Sequence, residues 1–324
     1  MSTIARFFRR LGCTGLLLAA LVPAWSQELR IAVSVGPVSL PIYVAQSQDY
    51  FAQEGVAVRL TDCTSGRTCF QMQVQGQADL STAAELLVTL DSFAPKSDAV
   101  IVATLSSSTR HIKLVARRGA GIHEPGDLRG KRVATVAGTS AQYFLDSWLV
   151  FHEIDPKKVR VSALAPDQLT GALTRGEVDA IAIWEPIASS AITALGSDAL
   201  VLPSPRIYTQ HFNLIAGREV ISQREADLAG VLRALARAER FIAEHPPQAA
   251  RILEARLPGG AGNLAEHDFK LKLEQSLIST MDGQARWAVR QGLTLGGRGA
   301  GNLLRSIDPA PLRKAVPGSV DLVQ

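Results

Sequence analysis

Two cysteines, Cys63 and Cys69, enclose the loop Thr64-Ser65-Gly66-Arg67-Thr68. Small and hydroxyl-bearing residues recur at other turns: Gly36-Pro37-Val38-Ser39, Thr82-Ala83-Ala84-Glu85, Gly138-Thr139-Ser140 and Trp184-Glu185-Pro186. These residue types suit binding better than catalysis. An enzyme needs a nucleophile with a base, paired carboxylates, a metal cluster or a phosphate loop. Asp62, Glu85 and Glu185 are isolated acids, and no Gly-x-Ser-x-Gly elbow, His-Glu-x-x-His or Walker sequence occurs. The histidines are scattered without ligand spacing, so neither a metal nor a cofactor is expected. Small residues let a backbone approach a ligand, hydroxyls supply adaptable hydrogen bonds, and Trp184 offers an aromatic wall.

The oxidation state of the cysteine pair follows from the first 26 residues. Arg6, Arg9 and Arg10 precede an apolar stretch from Leu11 to Val22, and small residues follow at Ala24 and Ser26. That order is the one of a secretory signal peptide, cleaved near Ser26 so that the mature chain begins near Gln27. Cys13 stands at the beginning of the apolar stretch and not after it, so it is not where a lipid-attachment cysteine would be. In an oxidising compartment Cys63 and Cys69 are expected to form a disulfide, with free thiols as the competing state. Closing so short a loop stabilises by only about 2 kcal/mol on the entropy model, so shaping the loop matters more.

Composition narrows the class. With 47% hydrophobic and 20% charged residues, the 324-residue chain can build one or two substantial cores. It has no apolar run long enough to span a bilayer beyond the leader. The net charge of +4 invites a nucleic-acid reading, but removing the three leader arginines from 34 basic residues leaves 31 against 30 acidic ones. No nucleic-acid partner is expected.

The turns are held by alternating apolar segments and helix-like ones. Leu29 to Val35, a helix over Pro41 to Glu54, Val56 to Thr61, a helix over Thr68 to Gln75, and Ala78 to Ser81 form one set. Lys131 to Val136, a helix through Tyr143 and Trp148, Val159 to Leu164, a helix to Arg175, and Ala180 to Trp184 form another. Such alternation predicts α/β architecture, each set a mostly parallel sheet flanked by helices. Gly76-Gln77-Ala78-Asp79-Leu80 echoes Gly176-Glu177-Val178-Asp179-Ala180, each a helix end entering a strand. The segments His111 to Ala116 and His211 to Ala216 also resemble each other, and are read as the chain leaving the first lobe and returning to it. The expected organisation is 27–116 with 214–324 as a discontinuous first lobe and 117–213 as the second. Helices alone are expected after Arg218, over Ser222 to Glu244, Pro246 to Leu257, Leu264 to Met281 and Asp282 to Gly292, with a capping box at Ser222 and Glu225.

In open α/β sheets ligands sit beyond the carboxyl ends of the strands, where helix N-termini present free amides. The candidates at those ends are Ser39, Ser65, Gly66, Arg67, Glu85, Gly138, Thr139, Ser140, Trp184 and Glu185. Helix N-termini with Arg67 and Arg110 favour an anion, whereas Asp62, Glu85 and Glu185 favour a polar or cationic heterocycle on Trp184. The balance leans to a small organic anion, sulfonate- or carboxylate-like. Arg110 and His111 are read as solvated residues at the interlobe strand.

Pro41-Ile42-Tyr43-Val44-Ala45, Tyr50-Phe51-Ala52-Gln53-Glu54-Gly55-Val56, the Ser65-Gly66 turn and Gly76-Gln77-Ala78-Asp79 resemble the periplasmic substrate-binding proteins of ABC importers, in the nitrate, sulfonate and taurine group. That group includes binders of thiamine pyrimidine precursors. Asp127-Leu128-Arg129-Gly130-Lys131, Gly138-Thr139-Ser140 and Asp179 to Pro186 continue the resemblance over the mature chain. It implies a two-lobed periplasmic-binding-protein type II clamp in the periplasm, a monomer that delivers a small molecule to an ABC permease. It carries the role of ligand-contacting turn onto Ser65, Gly66, Gly138, Thr139, Ser140 and Trp184. The Cys63, Arg67, Cys69 loop departs from the pattern. A thiamine-pyrimidine binder or synthase-like enzyme, and a ligand-sensing module for a membrane receptor, remain alternatives. The lobes are expected to hinge around Ala116 to Arg118 and Ala216 to Arg218.

Overall fold

A computed structural model describes residues 28–257, 262–294 and 303–323. The leader, the glycine-rich stretch 296–301 and most of the stretch 258–262 lie outside the described residues. Two five-stranded sheets carry the chain. The first contains β1 (Leu29–Ser34), β2 (Val58–Cys63), β3 (Leu80–Ala84), β4 (Ala99–Ser108) and β10 (Gln210–Gly217), in the order β2-β1-β3-β10-β4. The second contains β5 (Ile112–Arg117), β6 (Arg132–Thr135), β7 (Arg160–Ala163), β8 (Ala180–Trp184) and β9 (Ala199–Val201), in the order β7-β6-β8-β5-β9. In each, three parallel strands are joined by an antiparallel one, β10 against β3 and β5 against β8.

The helices of the first sheet are α1 (Leu40–Ser47), α2 (Tyr50–Gln53), α3 (Gly66–Val74) and α4 (Glu85–Asp91), and those of the second are α5 (Ser140–Phe151), α6 (Pro166–Thr174) and α7 (Ile187–Leu195). After β10 come α8 (Arg218–Gln223), α9 (Glu225–Glu244), α10 (Pro246–Arg256), α11 (Gln275–Arg290) and α12 (Ala310–Ala315). Helix α9 shows why this tail returns to the first lobe. Leu228, Val231, Leu232 and Leu235 recur at helical spacing and are fully buried. On its other side Arg233 and Arg237 reach Glu54 at 2.7 and 3.3 Å. Gly230 permits the contact, since an added Cβ would sit 2.3 Å from Val56 Cγ2.

The repeated turn has a physical basis in both sheets. Gly76 and Gly176 end their helices at φ of 71° and 72°, in the left-handed region that favours glycine. Asp79 then accepts the backbone N–H of Arg30 at 2.8 Å and its guanidinium at 2.6 Å, while Asp179 does the same for Arg132 at 2.8 and 2.6 Å. One carboxylate thus fixes the entry of a central strand beside its neighbour. Burial opposes the charge of Asp79, but the Arg30 bonds outweigh it and hold its pKa below the ordinary value.

The structure corrects the placement of one strand and of the segments where the chain crosses between the sheets. β5 was expected with the first lobe, but it pairs with β8, Ile112 opposite Trp184, and with β9. Its composition resembles that of β10 because both are buried antiparallel insertions, each in its own sheet. The chain therefore passes between sheets at 109–111 and again at 202–209. Ala116 and Ala216 are fully buried inside strands, remote from those passages. The helix expected over Leu264 to Met281 is instead a short turn at Leu264–Glu266, a two-residue strand at Leu273–Glu274 and the start of α11. Ser222 does not cap α9, for it lies in α8 and its hydroxyl donates to Glu219 O at 3.0 Å.

Beside the return passage sits Glu85, fully buried at the start of α4. Its carboxylate accepts from Tyr208 Oη at 2.6 Å, Gln284 Nε2 at 2.6 Å and His211 N at 2.9 Å. One acid thereby joins α4, the passage, β10 and α11. On the same flank α5 meets α11: Trp287 Nε1 donates to Asp146 at 2.8 Å, and the Tyr143 ring stacks edge-on against Tyr208 and Trp287.

Asp79→Ala is expected to lower unfolding stability by about 1–3 kcal/mol, because it strands the bonding groups of a half-buried arginine. Equilibrium urea unfolding at neutral pH measures it. Glu85 gives a pH signature. Burial raises its pKa from 4.5 to about 7, its three hydrogen bonds offsetting only part of that. The folded state then binds the extra proton between those values. Its contribution is complete below about pH 4.5 and lost as pH rises through 7. The wild-type minus Glu85→Gln difference in stability should fall across that window. A flat difference would show that the carboxylate is already ionised.

Candidate functional site

The carboxyl ends of the parallel strands of both sheets face each other across a cavity of about 220 Å³. From the first sheet it is walled by Ser34, Gly36, the 64–68 loop and Ala84, and from the second by Val136, Thr139, Ser140, Pro166, Trp184 and Glu185. The turns meet in pairs. The loop after β2 touches the turn after β6, since Arg67 Nη2 donates to Ala137 O at 2.7 Å and Gly138 O at 2.5 Å. The turn after β1 faces the turn after β8, where a Cβ on Gly36 would sit 3.8 Å from Glu185 O.

The loop after β2 is built to present Arg67. Cys63 and Cys69 are bridged, their Cα atoms 5.6 Å apart, and both are buried. Ser65 caps α3 by accepting from Thr68 N at 3.2 Å. Gly66 lets α3 press on β3, for an added Cβ would lie 3.1 Å from Ala83 Cα. Opposite, Gly138 has φ +63°, and a Cβ there would come within 2.7 Å of Arg67 Nη2. A side chain at Gly138 would therefore push the Arg67 guanidinium out of this position.

The cavity wall carries one cation, Arg67, and one carboxylate, Glu185. Burial pulls the pKa of Arg67 below the usual value, its Nε is buried without a hydrogen-bond partner, and it makes no ion pair among the described residues. Glu185 is 1% exposed, yet Lys113 Nζ lies 3.2 Å from it and its other oxygen accepts Ser189 N at 3.0 Å. Lys113 also reaches Glu266 at 2.6 Å. Asp62 points outward to Arg256 at 3.2 Å. Arg67 has no ion pair among the described residues, whereas Glu185 shares Lys113 with Glu266 and keeps an Oε1 without a hydrogen-bond partner; the N-termini of α3 and α5 open beside Arg67.

Seven sequence candidates wall the cavity: Ser65, Gly66, Arg67, Thr139, Ser140, Trp184 and Glu185. Gly138 lies just behind, against Arg67. Two point elsewhere. Ser39 is buried with its hydroxyl donating to Ser34 O at 2.7 Å, and Glu85 is turned into the Tyr208 network. Thr139 spends its hydroxyl on Val136 O at 2.6 Å, leaving backbone as its offering. The sequence reading passed over Gln210 and Phe212, and placed His111 in solvent, whereas all three wall the cavity and are buried. Gln210 and Phe212 lie at the start of β10 and His111 immediately precedes β5, antiparallel strands whose amino ends lie where the parallel strands have carboxyl ends. Among the described residues no cluster of histidine, cysteine or acid is arranged to hold a metal.

Two mixed sheets, two passages between them and a cleft at the strand ends define a periplasmic-binding-protein clamp. Solved structures share that fold: the alkanesulfonate-binding protein SsuA from Xanthomonas axonopodis pv. citri, solved bound to MOPS, superposes with a TM-score of 0.73 over 88% of this chain and 100% of that one, at 18% identity. Within the class, residues 36–249 match the NMT1/THI5-like family, and the chain belongs to it. Among curated relatives, a putative aliphatic sulfonates-binding protein of Bacillus subtilis is 26% identical over 230 residues, 70% of this chain and 68% of that protein. The taurine-binding periplasmic protein of Escherichia coli is 28% identical over 191 residues, 57% of each chain.

Proposed function

We propose that this chain is a periplasmic solute-binding protein that captures a small organic anion, sulfonate- or carboxylate-like, and delivers it to an ABC permease. The observation that carries this reading is Arg67, a cation in the cavity wall with a buried, unpartnered Nε and no counter-charge. A desolvated cation is costly unless an anion meets it, and the guanidinium fork suits the planar or tripodal oxygens of carboxylate and sulfonate. The amides at the starts of α3 and α5 add donors and a favourable dipole. Asp62 and Glu85 lie outside the cavity, so two of the three acids behind the cationic-ligand reading drop out, and the third, Glu185, has Lys113 at 3.2 Å. The names of the sulfonate and taurine relatives agree with this choice.

In this reading residues 28–108 and 210–323 form one lobe and 112–201 the other, and they close on the ligand about the passages at 109–111 and 202–209. Ser65, Gly66 and Arg67 hold the anion from one side, Gly138, Thr139 and Ser140 from the other, and Trp184 packs against its body. The protein acts as a monomer and performs no catalysis.

A thermal-shift screen against sulfonates, carboxylates, amines and pyrimidines tests the ligand class. An anion at a hundredfold excess over its Kd should add about 2.7 kcal/mol to unfolding. Arg67→Met should abolish that shift, while Trp184→Ala should weaken binding by about 1–3 kcal/mol. Stabilisation by amines or pyrimidines alone, or an Arg67→Met protein that binds anions normally, would overturn the reading.

A further inference from the structure

The disulfide encloses the one cation of the cavity wall. Cys63 ends β2, Cys69 lies in the first turn of α3, and Arg67 stands between them on that same turn. A ring this short adds only about 2 kcal/mol to unfolding on the entropy model, so the bond does more for the shape of the loop than for the fold as a whole.

Reduction would change that shape. Two thiols rest out of bonding contact, so the end of β2 and the first turn of α3 must part to admit them. The room is not there. Both cysteines are buried in a cluster with Ala32, Ala78 and Met72, and Cys63 Sγ already lies 3.8 Å from Met72 Sδ. Nor can α3 sink toward β3, because a Cβ on Gly66 would already meet Ala83 Cα at 3.1 Å. The turn must move away from the sheet, and Arg67 rides on it. Its bonds to Ala137 O and Gly138 O across the cleft go with that movement. The bond is also placed to be cut. Cys63 is the sulfur with residual exposure, 4% against 0% for Cys69, and its neighbour Thr64 is exposed. Attack on Cys63 makes Cys69 the leaving sulfur, at the positive end of α3 and two residues from Arg67, a setting that favours its thiolate.

We propose that the Cys63 and Cys69 pair is a redox switch on ligand capture. Oxidised, it holds Arg67 in the cavity wall; reduced by a dithiol, it releases Arg67, and the clamp loses its hold on anions. The reductant's thiolate attacks Cys63 Sγ, and the electron pair of the S–S bond leaves on Cys69, which takes up a proton. The second thiol of the reductant gives up its proton, attacks the mixed disulfide and frees Cys63, which is protonated in turn. The protein gains two electrons and two protons, and the reductant becomes a cyclic disulfide. The inference rests on the anion reading above, and adds a control to it.

Isothermal titration of the mature protein with a panel of alkanesulfonates and carboxylates, before and after reduction by dithiothreitol, tests it, with mass spectrometry reporting the state of the bond. Every anion that binds the oxidised protein should bind about ten- to a hundredfold more weakly after reduction, the worth of a charge-assisted hydrogen bond, and reoxidation should restore it. Circular dichroism and a cooperative thermal transition should show the reduced chain still folded. In the double variant Cys63→Ala with Cys69→Ala, dithiothreitol should change nothing. Anions that bind equally well before and after reduction, a reduced chain that has lost its fold, or the same response to dithiothreitol in the double variant would overturn the inference and leave the anion reading standing. Failure of every anion to bind the oxidised protein would overturn both.

Discussion

The site depends on a cation that has been given no anion. Arg67 is held in place by two carbonyls, of Ala137 and Gly138, which bind its N–H groups without cancelling its charge. Burial of such a group costs free energy, and the protein supplies the geometry that a ligand completes. The elements around it follow from that need. A disulfide and a serine cap fix the loop, Gly66 seats α3 against β3, and Gly138 leaves room for the guanidinium. The acids that could have neutralised it are engaged elsewhere, Glu185 by Lys113 and Asp62 by Arg256.

The scaffold that brings the two loops together is one design used twice. In each sheet an aspartate after a left-handed glycine grips the backbone and guanidinium of an arginine in the first strand of the set. This sets adjacent strands in register, and the register sets which residues reach the carboxyl edge. An antiparallel strand then completes each sheet, β10 in one and β5 in the other, and carries the chain between them.

Much of this was legible in the sequence, for a reason that also explains what was not. Alternation of strand and helix fixes which turns lie at carboxyl ends, so Ser65, Gly66, Arg67, Thr139, Ser140 and Trp184 could be read as neighbours of one cavity. That logic covers parallel strands only. Gln210, Phe212 and His111 reach the same place from the amino ends of antiparallel strands, and nothing local marks a strand as antiparallel. For the same reason β5 was read with the wrong sheet. Glu85 stands at a carboxyl end, yet its side chain turns to Tyr208, His211 and Gln284, partners more than a hundred residues away in sequence. Ser39 fails more simply, because its short hydroxyl finds Ser34 O first.

The passages between the sheets both lie at one edge of the cleft, beside β10, β4 and β5, and Glu85 with the α5–α11 contacts gathers there as well. Mechanically this is the spine of a book, with Arg67 out on the fore-edge about three strand spacings away. Leverage follows from the distance: each degree of rotation about the spine parts the fore-edge by only about a quarter of an ångström, but it parts the region near Gln210 by far less. A rotation about that edge would therefore separate the Arg67 contacts to Ala137 and Gly138 more than any contact near the passages. On the proposed function, the charged group of a bound anion would sit at that fore-edge, where the least rotation is needed to grip or release it.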